Sequence, residues 1–226
     1  MKRKIINNIR REGLQDPKFF GVHKDLSFKK GICMQFRRRR EKKTDYVQRL
    51  ALLKSGKPRL VVRRSGNNFR VQIIDFTPEG DKTLVEVASS MLKKYGWKGH
   101  CGSMPAAYLT GLLMGKQASD KGIREAVPDL GMQMSVKGSS LFACVLGARD
   151  GGIKISIGKE ALPKKERIEG RHVADYASMM KGKDSQKYSK HFAAYLKNGL
   201  EPEKLPEHFN EVKKKIGVAV KEKIEA

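Results

Sequence analysis

Acidic residues are scarce in this chain: 24 Asp and Glu stand against 48 Lys and Arg, leaving a formal net charge of +24 over 226 residues. Self-repulsion at that balance calls for a neutralising polyanion in the native setting. Cysteine is almost absent. Cys33, Cys101 and Cys144 are odd in number and far apart, which excludes a disulfide framework and points to a reducing compartment. No stretch approaches the roughly 18 to 20 apolar residues of a membrane span. Residues 1–20 are basic but have no apolar segment of the secretory kind, so the expected location is the cytosol and no membrane partner is expected. Apolar residues still make up 39% of the chain, enough for a core and too many for global disorder.

What is abundant is arginine and lysine in one place. The run Phe36-Arg-Arg-Arg-Arg-Glu-Lys-Lys-Thr-Asp-Tyr46 leads through a short helix into Lys54-Ser-Gly-Lys-Pro-Arg-Leu-Val-Val-Arg-Arg64. A cationic arm continuous with a strand bearing Arg59, Arg63 and Arg64 suits a polyanion held by both. Arginine adds planar, bidentate and stacking contacts to phosphates and bases that lysine cannot make. Two readings of residues 1–33 stand together. One is a basic tether, the other a stretch without fixed structure or upstream of a natural start at Met34.

Thr44 and Asp45 open a helix whose apolar positions Tyr46, Val47, Leu50 and Leu53 recur at helical spacing, and Gly56 and Pro58 end it. Strand-like runs at 59–64, 69–76 and 83–88 are joined by short turn-rich links, which predicts an antiparallel meander. Residues 104–119 read as a helix with Pro105 in its first turn. Its Ala107, Gly111 and Gly115 share one face, and the expectation is that this face lies against the sheet. A buried strand at 124–130, kept near an edge by Pro128, a helix at 139–149 and a short strand at 153–157 complete the order βββ-α-β-α-β. The fold class is α/β, a ribonuclease-H-like mixed sheet. Expected divisions are a largely extended arm at 1–43, an α/β core at 44–160 and a charged helical appendage at 161–226.

Several constellations suggest chemistry and fall short. Gly111 to Gly115-Lys116-Gln117 has one residue too few between its glycines for a phosphate loop and no Ser or Thr for magnesium. His100-Cys101 offers two adjacent metal ligands where structural zinc needs four that converge. A metal-dependent nuclease would need Asp75, Glu86, Asp129 and Asp150 to meet in space, and no clustered acidic motif supports it. No cofactor and no catalytic residue is expected. Tyr95 and Trp97, set among Lys93, Lys94 and Lys98, suit base stacking with phosphate contacts. Anchorage of the loop by Trp97 is the competing reading. Lys137-Gly-Ser139-Ser140 opens a helix, where Lys137 and the backbone could grip one phosphate. A simple cap by Ser139 explains the same residues.

Five segments, Phe36 to Tyr46, Leu53-Lys-Ser-Gly-Lys-Pro-Arg-Leu-Val-Val-Arg63, Lys94-Tyr-Gly-Trp-Lys-Gly99, Pro105-Ala-Ala-Tyr-Leu-Thr-Gly-Leu-Leu113 and Lys137-Gly-Ser, closely resemble the archaeal form of large-subunit ribosomal protein L-eighteen, whose eukaryotic relative is L-five. The resemblance runs from about Phe36 to His172. It implies a non-enzymatic constituent of the large ribosomal subunit, with 5S rRNA, large-subunit rRNA and neighbouring central-protuberance proteins as partners. RNA contact carries over to Arg37, Arg38, Arg39, Arg40, Lys42 and Lys43 of the arm, to Lys57, Arg59, Arg63 and Arg64, to Tyr95, Trp97 and Lys98, and to Lys137 and Ser139. Pro128 to Met134 departs from the family pattern, which puts the contacts before Lys137 in doubt. A nonspecific RNA chaperone is the remaining alternative.

Overall fold

The computed structural model describes residues 37–222, with side chains as far as Gly217 except that of Arg39. Met34, Phe36 and the proposed tether lie outside the described residues. The chain divides into two units, 1–57 and 58–226.

In the first unit, Arg37–Arg40 (α1) is a helical turn. This corrects the expectation of an extended arm for the described part of it. An Arg37–Glu41 pair at 2.8 Å closes the turn at i, i+4 spacing. Lys42 has a left-handed φ of 50°, and the Lys43 N–H returns to the Arg38 carbonyl. Tyr46–Leu53 (α2) follows, with Asp45 as its N-cap. The Asp45 carboxylate accepts the N–H groups of Val47 and Gln48 at 2.9 and 3.1 Å.

The second unit is built on Arg59–Arg64 (β1), Phe69–Thr77 (β2), Gly80–Ala88 (β3) and Val127–Asp129 (β4). Their order is β3-β2-β1-β4, with the first three antiparallel and β4 parallel to β1. In β2, Phe69, Val71 and Ile73 are buried on one face while Arg70 is exposed and Gln72 half-buried, the period-2 pattern of a strand with one face on the core. Where 124–130 was expected as one strand, only three residues pair. Pro128 has no N–H to give a ladder and sits at the outer edge. Residues 153–157, expected as a short strand, form none; an isolated parallel bridge joins Lys154 to Glu125.

Met104–Asp120 (α3) starts at Ser103, whose hydroxyl accepts the Ala106 N–H, and Ser140–Asp150 (α4) runs beside it. α3 packs on β2 and β3, and α4 on β1. The Gly111–Gly115 stripe faces α4, not the sheet as expected. A Cβ on Gly111 would overlap the Cys144 carbonyl, and one on Gly147 would overlap the Tyr108 carbonyl. Gly115 and Gly151 lie in the same seam, so glycine on both helices lets the two backbones touch. Beyond α3 lies the last helix, Leu205–Glu222 (α9), whose Leu205, Phe209, Val212 and Ile216 join the same core cluster. Between them, Lys165–Glu169 (α5), Arg171–Lys183 (α6), Ser185–His191 (α7) and Ala193–Lys197 (α8) follow in order. A separate small cluster of Ala177, Tyr188 and Phe192 ties α6 to α7. No helix among the described residues is long and apolar enough to cross a membrane.

Candidate nucleic-acid interface

The loop after β3 is shaped by what it buries. Ser89–Tyr95 is a 3-10 turn that ends on Gly96 in a left-handed conformation (φ 87°), and the Trp97 N–H returns to the Leu92 carbonyl. Leu92 and Trp97 lie inside the core, Trp97 only 3% exposed, while Lys93, Lys94 and Lys98 point outward. Gly99 is needed for closeness, because a Cβ there would stand 2.7 Å from the Trp97 ring. Trp97 is therefore the loop's anchor and cannot stack on a base. Its indole N–H has no hydrogen-bond partner among the described residues. Tyr95 is half-buried against the core.

The arginines of β1 fare differently from one another. Arg59 is 4% exposed, donating from Nη1 to Asp129 at 2.9 Å and from Nη2 to Asp81 at 2.7 Å. A buried guanidinium committed to two carboxylates is not available to a phosphate, so Arg59 leaves the set of candidate RNA contacts. Arg63 is half-exposed and shares Asp129, with Nη2 on Oδ1 at 3.1 Å and Nη1 on the Asp129 carbonyl at 2.7 Å. Its guanidinium packs on Gly131, whose φ of 62° and lack of a side chain admit it. Arg64 is exposed and lies 5.8 Å from the Phe69 ring centroid, while its backbone exchanges hydrogen bonds with the Gln133 amide. Lys57 is exposed.

Lys137 is exposed, with its ammonium 2.8 Å from Glu160. Ser139 is the N-cap residue of α4 by backbone position, but its hydroxyl makes no capping bond and is buried without a partner among the described residues. In the first unit, Arg37, Arg38, Arg40, Lys42 and Lys43 are all exposed. Arg38 donates to the Thr44 hydroxyl at 2.9 Å. Lys43 and Arg37 hold the Glu41 carboxyl below its ordinary range.

The acids expected of a nuclease have separate partners. Asp129 serves Arg59 and Arg63, Asp150 accepts from the Tyr108 hydroxyl at 2.9 Å, and Glu86 pairs with Arg70 and Gln72. Among the described residues no three His, Cys, Asp or Glu side chains are grouped so that they could hold a metal ion.

Two residues that local sequence reading missed touch this site. His208 stacks on Trp97 with ring centroids 5.2 Å apart, and Asn198 donates to the Lys98 carbonyl at 2.9 Å. The signal for His208 was present: it falls beside Leu205, Phe209, Val212 and Ile216 on an otherwise apolar stripe.

Fold and charge thus define a strongly cationic α/β protein whose lysines and arginines are presented by a loop, the end of a strand and a helical turn. Residues 30–126 match the family described as ribosomal large subunit proteins 60S L5, and 50S L18, and over that stretch the chain is similar to its members. The match supports a structural role in the large ribosomal subunit, in association with ribosomal RNA, as in a family that is generally non-enzymatic. The match ends at Ala126, before β4, so Lys137 and Ser139 fall outside it.

Proposed function

We propose that this chain binds 5S ribosomal RNA and attaches it to the large-subunit RNA in the central protuberance, as an archaeal-type member of the family. The observation that carries the proposal is that the matched stretch includes all three main cationic segments: the Arg37–Arg40 turn, β1, and the loop bearing Lys93, Lys94 and Lys98. Arg37, Arg38, Arg39, Arg40, Lys42 and Lys43 supply phosphate contacts, and Lys57, Arg63, Arg64 and Lys98 supply further ones. Lys137 and the Ser139 end of α4 add one anion-binding position. Tyr95 offers a ring edge, and Trp97 acts by holding the loop.

A meander of three antiparallel strands with a parallel fourth beside β1 supports the ribonuclease-H-like layout for the core. The dispersed acids favour its use as a scaffold over metal-dependent cleavage. The 161–226 segment then braces the core through α9.

Competition binding at one fixed salt concentration tests this against a nonspecific chaperone, because salt alone shifts such affinities strongly. The full-length protein should prefer 5S RNA over a scrambled RNA of equal length by about a hundredfold or more. Equal affinity for the two would leave only a general RNA chaperone.

A further inference from the structure

The cationic loop does not hold its shape alone. The Lys98 backbone N–H donates to His208 Nε2 at 3.1 Å, and the Lys98 carbonyl accepts from Asn198 Nδ2 at 2.9 Å. Both partners lie at least 100 residues downstream. The His208 imidazole also lies nearly parallel to the Trp97 indole, with 22° between their planes. Close by, the Tyr195 hydroxyl meets the His100 backbone. The loop's own turn closes with the Gly96 and Trp97 N–H groups on the Lys93 and Leu92 carbonyls, and the Lys98 backbone beyond it is held by the C-terminal helices.

The hydrogen bond from Lys98 fixes the chemistry of His208. An Nε2 that accepts must be unprotonated, so the ring is neutral and its proton sits on Nδ1. Nδ1 lies 3.8 Å from the Glu211 carboxylate. Burial pushes the His208 pKa below its ordinary value, and Lys98 and Lys215 act in the same direction, while Glu211 opposes them. Lys215 also reaches the loop, with its ammonium 3.5 Å from where a Cβ on Gly96 would stand.

We propose that His208, together with Asn198, is the positioning residue that holds the loop of Lys93, Lys94 and Lys98 in the form that meets RNA, and that it does so only as a neutral imidazole. The inference rests on assigning that loop to the RNA interface. Protonating Nε2 removes the acceptor and sets a positive charge beside Lys98 and Lys215. RNA affinity then falls on acidification, whereas added positive charge by itself would raise it.

The test uses the full-length protein, 5S RNA and a scrambled RNA of equal length, with His208→Ala and His208→Gln beside the wild type. At about pH 7.5, above the imidazole range, His208→Ala should bind about three- to tenfold more weakly, the equivalent of one hydrogen bond. His208→Gln should bind within about twofold of wild type, because its amide oxygen can accept the same N–H. Between about pH 7.5 and 5.5 the wild type should lose affinity by several-fold while His208→Gln does not. Amide exchange of Lys98 in the free protein reports the hold directly, slow in wild type and His208→Gln and fast in His208→Ala. Equal affinities for all three proteins, or one pH profile shared by wild type and His208→Gln, would overturn the proposal. If no variant distinguishes 5S from scrambled RNA, the 5S assignment fails, and the differences between variants still decide the role of His208.

Discussion

The arginines of β1 and those of the Arg37–Arg40 turn come from the same basic stretch and look alike in sequence, yet their surroundings have little in common. In the turn, each described guanidinium is exposed and its partners are a few residues away, Glu41 for Arg37 and Thr44 for Arg38. In β1, Arg59 is buried against Asp81 and Asp129, Arg63 is half-buried on the same Asp129, and only Arg64 is exposed. The difference lies in the partner, because a strand can bring an aspartate from 70 residues away onto a guanidinium. A run of arginines is therefore two materials. One part neutralises carboxylates that hold a sheet edge, and the other is left for a polyanion outside the chain.

Breaking the buried side should have the largest effect. Arg59→Ala removes the cation that Asp81 and Asp129 share and leaves Asp129 to Arg63, and loss of one partner of a buried ion pair costs about 3–5 kcal/mol. Urea unfolding should show that loss, and Arg40→Ala in the same assay should stay within about 0.5 kcal/mol of wild type. Similar values for the two variants would erase the distinction between the regions. On the exposed side, replacing Arg37 to Arg40 with alanine should flatten the log–log salt dependence of RNA binding by about two to four units, since each phosphate contact contributes about 0.7 to 0.9. Thermal stability of the second unit should not move. An unaltered slope would remove the turn from the interface.

Much of this division was legible in the sequence, but not its long-range half. A strand-like run next to a turn-rich link located β1 with its observed bounds, and Asp45 and Pro105 marked helix starts that the structure keeps. The small-residue face of α3 was legible too, while its partner was not. Helical spacing identifies which residues share a face but not what the face meets, and only Gly147 on α4 and Gly151 just after it reveal the match. The burial of Arg59 was hidden for the same reason. So was the clasp of His208 and Asn198 on Lys98, since no local pattern encodes a partner 110 residues away.

That seam between α3 and α4 gives a third test, smaller than the first. Gly111→Leu forces a side chain into the Cys144 carbonyl and should cost about 1–3 kcal/mol or more from overpacking. Gly111→Ala should also destabilise, although helix propensity alone would favour alanine by about 0.5–1 kcal/mol. A stabilised Gly111→Ala protein would mean that the helices are not in backbone contact. The His208 clasp adds a weaker pH dependence of folding. Its folded pKa is lowered, so protonation favours the unfolded chain: the stabilising contribution is complete above the ordinary imidazole pKa and declines as pH falls through that value toward the lowered one. Melts of wild type and His208→Gln should diverge only below about pH 6.5. Parallel curves would show that the ring titrates as it does in the unfolded chain.

The smallest expected effect lies at Lys137, where the exposed side of the comparison can be tuned without touching the fold. Its ammonium is 2.8 Å from Glu160, and the two side chains are 74% and 83% exposed. An ion pair this open to water contributes between nothing and about 1 kcal/mol, so Glu160→Gln should leave unfolding nearly unchanged. RNA binding should respond in the opposite sense to the other variants. A phosphate that reaches Lys137 competes with the Glu160 carboxylate for its ammonium, and the glutamate adds negative charge beside it. Removing that charge should tighten RNA binding by about two- to threefold at low salt, with the gain fading as salt screens it over a Debye length of about 10 Å at 0.1 M. Lys137→Ala in the same titration should weaken binding, and the double variant should match Lys137→Ala. If Glu160→Gln tightens binding even when Lys137 is already alanine, the gain is general charge relief and Lys137 is not a contact.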